Sequence, residues 1–250
     1  MTIAYHHEEN LHSLVGAKAG MKHLLAEAGV RSVLDVGCGT GTWLRAAQEA
    51  GVTEVMGVDG VAVDASVLHV REANRQVADL TKPWRCDRRF DLAICLEVAE
   101  HLPLSSAPVL IDTLVAHADL ICFSAACPDQ PGENHINCQW PAWWQRLFNE
   151  RGFACDDSLR WRWWNDEQIE PWYRQNAFLA RRSPHAGEEA RIPNVVHPAM
   201  LDHLIAGRQN AIFEEHRTQI ENGALPLKWS LMLPLRVVLA KGRRYFTSHH

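Results

Sequence analysis

Four side chains in this 250-residue chain could handle a proton together: Glu97, Glu100, His101 and His135. The first three stand in Leu96-Glu97-Val98-Ala99-Glu100-His101-Leu102-Pro103. At positions i, i+3 and i+4, a helical turn would set all three on one face. His135 lies in Pro128-Asp129-Gln130-Pro131-Gly132-Glu133-Asn134-His135-Ile136-Asn137-Cys138-Gln139-Trp140-Pro141, whose proline, glycine and polar residues read as a loop. Imidazole titrates near neutral pH and can take a hydroxyl proton, so His135 is the preferred general base. His101 either shares that chemistry or holds its loop by hydrogen bonds.

The second chemical signal is Val33-Leu34-Asp35-Val36-Gly37-Cys38-Gly39-Thr40-Gly41. A short strand runs into a glycine turn and then a helix, so a ligand can approach the backbone closely. A dinucleotide fingerprint starting at Gly37 needs glycine or alanine where Thr42 stands, and a P-loop needs a lysine that is absent. A carboxylate at the strand end suits a cationic ligand group better than a pyrophosphate. The run resembles motif I of the class I S-adenosylmethionine-dependent methyltransferases, and the resemblance extends over residues 20–180.

That resemblance implies cofactor contacts at Asp35, Gly37, Cys38, Gly39, Gly41 and Gly60. Asp59, 18 residues after Gly41, would accept hydrogen bonds from both ribose hydroxyls. Asp79-Leu80 is similar to the adenine-side pair, and Phe90-Asp91-Leu92-Ala93-Ile94-Cys95-Leu96-Glu97 to motif IV, whose end lies beside the methionine portion. The set Glu97, Glu100, His101 and His135 also resembles the metal-binding set of small-RNA 3′-terminal 2′-O-methyltransferases, where Mg²⁺ or Mn²⁺ would suit oxygen and imidazole ligands. The chain departs from that family: it lacks a basic RNA-binding region, and its second histidine sits in Gly132-Glu133-Asn134-His135-Ile136-Asn137. A bound metal is therefore not favoured.

A further resemblance, to methyltransferases of glycan and secondary-metabolite pathways, rests on Gly132-x-x-His135-x-Asn137 and on Trp172-Tyr173-Arg174-Gln175-Asn176. It implies a sugar-like hydroxyl acceptor. The expected function is O-methylation of a sugar, glycan or secondary metabolite. The alternatives are metal-assisted methylation of an RNA 3′ end and a non-catalytic cofactor-binding scaffold.

These groups need a sheet to position them. Val33–Val36, Glu54–Asp59, Phe90–Cys95 and Asp119–Ser124 read as strands, with helical patterns at Thr42–Ala50 and Ala107–His117 between them. That rhythm predicts βαβ units: an α/β, Rossmann-like, doubly wound and mostly parallel seven-stranded sheet with helices on both faces. A helix over Ala142–Arg151, capped by Gly152, precedes two expected strands, Ser158–Trp164 and Gln175–Arg181. Arg182–Arg191 reads as a linker. The expected division is a catalytic domain over 1–183 and a helical appendage over 184–250, with a helix from Pro198 to Asn222.

Composition bounds the rest. With 47% apolar and 22% charged residues the chain can bury a large core, and a net charge of −5 argues against a general nucleic-acid coat. Seven cysteines without a C-x-x-C spacing argue against a disulfide framework or zinc. Met1–Glu9 lacks the pattern of a secretory signal, and no apolar run is long enough to span a bilayer, so a cytoplasmic protein is expected. Seven of the ten tryptophans fall between Trp140 and Trp172, and Arg160-Trp161-Arg162-Trp163-Trp164 alternates like a strand with one wet face. The stretch from Leu225 carries five basic residues and no acid, ending Lys241-Gly242-Arg243-Arg244. Such a tail could touch an anionic membrane surface, or pack on the catalytic domain or across a homodimer.

Overall fold

Alternation within each strand builds a two-faced core. In β1 (Ser32–Val36), Val33 joins one apolar layer and Leu34 the other. In β4 (Leu92–Leu96), Leu92 and Ile94 face the first layer, Ala93 and Cys95 the second. Burial on both faces is what a parallel sheet covered by helices requires. The computed structural model describes residues 13–26 and 29–222.

The remaining strands are β2 (Glu54–Asp59), β3 (Arg75–Val77), β5 (Leu120–Ser124), β6 (Phe153–Asp156) and β7 (Phe178–Arg182). They form one seven-stranded sheet in the order β3-β2-β1-β4-β5-β7-β6. All pairings are parallel except those of β7, which runs antiparallel to both β5 and β6. Helices α1 (Leu14–Leu25), α2 (Thr42–Glu49), α5 (Ser158–Trp163) and α6 (Pro171–Asn176) supply the layer containing Met21, Leu44, Trp163 and Tyr173. Helices α3 (Ala107–His117) and α4 (Pro141–Asn149) supply the other, containing Ile111, Trp144 and Phe148. The strand order reverses beside β1, and register places Val36, Asp59, Leu96 and Ser124 along one edge of the sheet. Ligands of open α/β sheets bind at such an edge.

Three expectations are corrected. Ser158–Trp163 is helix, not strand: Leu159, Arg160 and Trp163 are buried while Trp161 points out, which is helical spacing, and Asp156 accepts from the Ser158 amide at 2.8 Å to start the turn. The strand expected there is β6, which begins just after Gly152. The stretch Gln175–Arg181 is strand only from Phe178, because Pro171 at the first helical position starts α6, which holds Gln175 and Asn176. Arg182–Arg191 is tied down rather than a free linker, chiefly by Glu189, and Ile192 beyond it is buried in the core.

The chain divides into two compact units between Leu204 and Ile205. Helix α7 (Leu201–Glu221) provides the expected C-terminal helical segment, with Arg217 pairing to Glu214 at 2.6 Å. The basic tail after Leu225 lies outside the described residues. Among the described residues no helix is long and apolar enough to cross a membrane.

Glu189 makes a testable acid dependence. Burial alone would raise its carboxyl, but donors from the Cys155 amide (2.9 Å), Asn149 (2.6 Å) and Gln145 (3.1 Å) outweigh that and hold it at about 2. Its stabilisation is complete above the 4.5 of an unfolded glutamate and is lost as pH falls toward 2. Glu189→Gln is expected to flatten the fall of Tm across that window. Thermal melts equally steep in both proteins would refute the assignment.

Candidate active site

The glycine turn after β1 is built from left-handed backbone. Gly37, Gly39 and Gly41 have φ of 86°, 51° and 85°, and Gly41 sits at the N-cap of α2. A Cβ on Gly37 would stand 2.2 Å from Cγ2 of Val98, so the turn also packs too tightly for a side chain. The Gly37 amide donates to the Val58 carbonyl at 2.7 Å, pinning the turn to the end of β2.

Two strand-end acids flank this turn. Asp59 accepts from the Gly39 amide at 2.7 Å and the Val61 amide at 2.8 Å. Asp35 is buried, and burial, reinforced by the charge of Asp59, pushes its carboxyl well up. Arg75 on β3 donates Nε to the Gly39 carbonyl at 3.2 Å and Nη2 to the Val61 carbonyl, joining the two loops that frame the cleft.

A cleft enclosing about 750 Å³, its mouth included, opens over this edge. Asp35, Gly37, Cys38, Gly39, Asp59, Gly60, Leu80, Leu96, Glu97 and His101, all singled out in the sequence, line it. Gly41 and Asp79 are not among its lining residues. Gly41 caps α2, and Asp79 accepts from the Thr81 amide and hydroxyl. Among the described residues three carboxyl groups and no lysine or arginine line the cleft, so a cationic ligand, which would draw these carboxyls into their charged form, suits it. The glycine cradle and that acid excess fit a nucleoside bearing a sulfonium, with Leu80, Val61 and Leu102 as apolar wall.

The proton-handling residues come together at one end. After β4 the chain turns sharply at Glu97, φ 54°, and then forms a single 3₁₀ turn, Ala99–His101. Gln130 donates to Glu97 Oε2 at 2.8 Å, and Asn176 donates to Oε1 at 3.2 Å. Burial raises the Glu97 carboxyl, against these hydrogen bonds. Glu100 is fully buried, and burial together with the charge of Glu97 pushes its carboxyl well up, against the backbone amides of Glu100 and Ala126. Its own carbonyl accepts from the amides of Ile136 and Asn137, which brings the 128–141 loop over the turn.

His101 and His135 meet edge to face with ring centroids 5.0 Å apart. His135 Nδ1 donates to the Gln130 carbonyl at 3.0 Å, so its Nε2 keeps the lone pair. His101 Nδ1 is shut off from solvent, and burial with the neighbouring His135 pulls its pKa down to about 4. His101 lines the cleft and His135 does not. Glu100, His101 and His135 also bring one potential ligand atom each within 4.8 Å of one another. Asp129 and Asn134 join Glu97 as the described non-glycine residues with left-handed φ, and all three sit around this cluster.

Sequence reasoning gave no role to Arg75 or Gln130. The bond from Arg75 to the Gly39 carbonyl and that from Gln130 to Glu97 each join residues more than 30 positions apart.

A glycine turn and strand-end acid pair on a sheet of this order define a class I S-adenosylmethionine-dependent methyltransferase. The sequence matches the methyltransferase-domain family over residues 9–182, and the chain belongs to that family. No curated protein matches the sequence. Among solved structures, the chain is similar to magnesium protoporphyrin IX methyltransferase from Synechocystis PCC 6803 with bound SAH, at 19% identity and TM-score 0.51, over 68% of this chain and 83% of that one. It is also similar to DesVI of Streptomyces venezuelae, at 12% identity and TM-score 0.51, over 68% and 92% of the two chains. These likenesses show the fold, and with the family they establish S-adenosylmethionine as the cofactor.

Proposed function

We propose that this methyltransferase methylates a hydroxyl of a sugar, glycan or secondary metabolite, with an imidazole at the cleft wall taking the proton. S-adenosylmethionine supplies the methyl group on a sulfonium. Asp59 would hold the ribose diol with the capacity left by its two amide bonds, and Leu80 with Asp79 the adenine side. Gly37, Cys38, Gly39, Gly41 and Gly60 would keep backbone close to the nucleoside, while Asp35 and Leu96 flank the amino-acid end. The carrying observation is the His101–His135 pair at the acceptor end of the cleft. The sequence favoured His135 as base. The cleft wall favours His101, with the His135 ring packed against it. Glu97, held by Gln130 and Asn176, would orient the acceptor. A small soluble acceptor in the cytoplasm is the proposed setting. Labelled methyl transfer to a panel of monosaccharides, glycosides and phenols tests this: an O-methyl product supports it, while methyl found only on nitrogen, sulfur or carbon sinks it.

A second reading rests on the Glu100–His101–His135 cluster, whose potential ligand atoms lie within 4.8 Å of one another. These residues could hold a divalent cation gripping two vicinal hydroxyls, as on an RNA 3′ end. The base reading expects unchanged turnover after chelator dialysis. Loss restored by Mg²⁺ or Mn²⁺ would favour the cation, and RNA binding that weakens steeply with salt would extend it to RNA.

A further inference from the structure

Two residues of the cleft wall, Gly39 in the glycine turn and Val61 after β2, are each held by both of their backbone polar groups. Their amides donate to Asp59, to one carboxylate oxygen each, at 2.7 and 2.8 Å. Their carbonyls both accept from Arg75, that of Gly39 from Nε at 3.2 Å and that of Val61 from Nη2. An acid thus takes both donors, and a base both acceptors, of the same two residues. The glycine turn and the loop after β2 are bridged twice, with opposite polarity.

Arg75 opens β3 at the edge of the sheet, opposite Gly57 of β2. Its side chain is half-buried and does not itself line the cleft. Bridging two carbonyls takes a planar fork with donors fixed in direction, which a guanidinium has and a lysine ammonium lacks. Bonds from a charged donor are about twice as strong as neutral ones, so the grip exceeds an ordinary backbone contact. Its charge is also felt in the cleft: burial, Asp35 and Asp59 push the Cys38 thiol well up, and Arg75 acts against them. Gly39 stands at φ 51°, where glycine has wide freedom, so a hold from outside the turn fixes what the turn alone does not. If Gly39 or Val61 shifts, the Asp59 oxygen bonded to its amide shifts too.

We propose that Arg75 is a positioning residue for the cofactor: its grip on the two carbonyls aims Asp59 at the ribose diol. The inference rests on the reading of Asp59 as the ribose acid.

The test is calorimetry on the full-length protein with SAH and with SAH lacking the ribose 2′-hydroxyl. In the wild type, loss of that hydroxyl is expected to weaken binding about tenfold or more, as for a hydrogen bond to a charged group. Arg75→Met should weaken SAH about tenfold and shrink the 2′-deoxy penalty to about threefold or less. A brace that only stiffens the fold would weaken both ligands equally and leave that penalty intact. Arg75→Lys keeps the charge without the fork, so it should follow Arg75→Met, and it carries the test where Arg75→Met does not fold. Undiminished SAH affinity in Arg75→Met, a 2′-deoxy penalty as large as in the wild type, or wild-type behaviour of Arg75→Lys would overturn the proposal. Absence of the penalty in the wild type itself would overturn the ribose reading of Asp59, and the proposal with it.

Discussion

Gly37→Ala is expected to weaken SAH binding on the order of a hundredfold, read by calorimetry on folded protein. Two costs combine. An alanine held at φ 86° carries about 1–2 kcal/mol of backbone strain. Its Cβ would also lie 2.2 Å from Val98 Cγ2, and such overpacking costs about 1–3 kcal/mol. The turn relieves both by shifting, and it cannot shift without disturbing the 2.7 Å bond from the Gly39 amide to Asp59. Adding Val98→Ala should restore part of the affinity, because it removes the clash and leaves the strain. Wild-type affinity in the single variant would mean that this turn does not shape the cofactor cleft.

The second large effect is on catalysis. His101→Ala is expected to lower turnover by about 10²- to 10⁴-fold, with SAH affinity little changed. His135→Ala should lower it less, since His135 is not among the residues lining the cleft. The reverse ranking would return the role of base to His135. The pH profile supplies an independent reading. A base held at about 4 stays deprotonated through the neutral range, so the acid limb of kcat/KM should lie near 4 and not near 6.5. An acid limb near 6.5 would exclude His101 as the base.

The parts of this architecture that could be read from the sequence are those whose cause is local. β1, β2, β4 and β5 are each rich in apolar, β-forming residues, and the glycine turn declares itself through residues a few positions apart. β3 is three residues long, lies at the sheet edge and exposes Val77, so no hydrophobic pattern marks it. The Arg160–Trp164 stretch misleads because arginine and tryptophan alternate, yet Arg160 turns inward to the Pro193 carbonyl at 3.1 Å. The glycine turn and its strand-end acid were legible because their spacing is a property of one strand and its turn. The clamp on Glu97 was not: Gln130 reaches it across 33 positions and Asn176 across 79, and only the folded sheet brings them close.

Helix α6 has only six residues, yet Tyr173 faces the cofactor cleft and Asn176 restrains Glu97. A lineage adapting this chain to a new acceptor therefore has little latitude in α6, because one replacement disturbs two duties at once. Innovation is pushed onto exposed side chains beside the His101–His135 pair, such as Ile136, which is 64% exposed. Divergence in acceptor preference should accumulate there, while 173–176 drifts slowly.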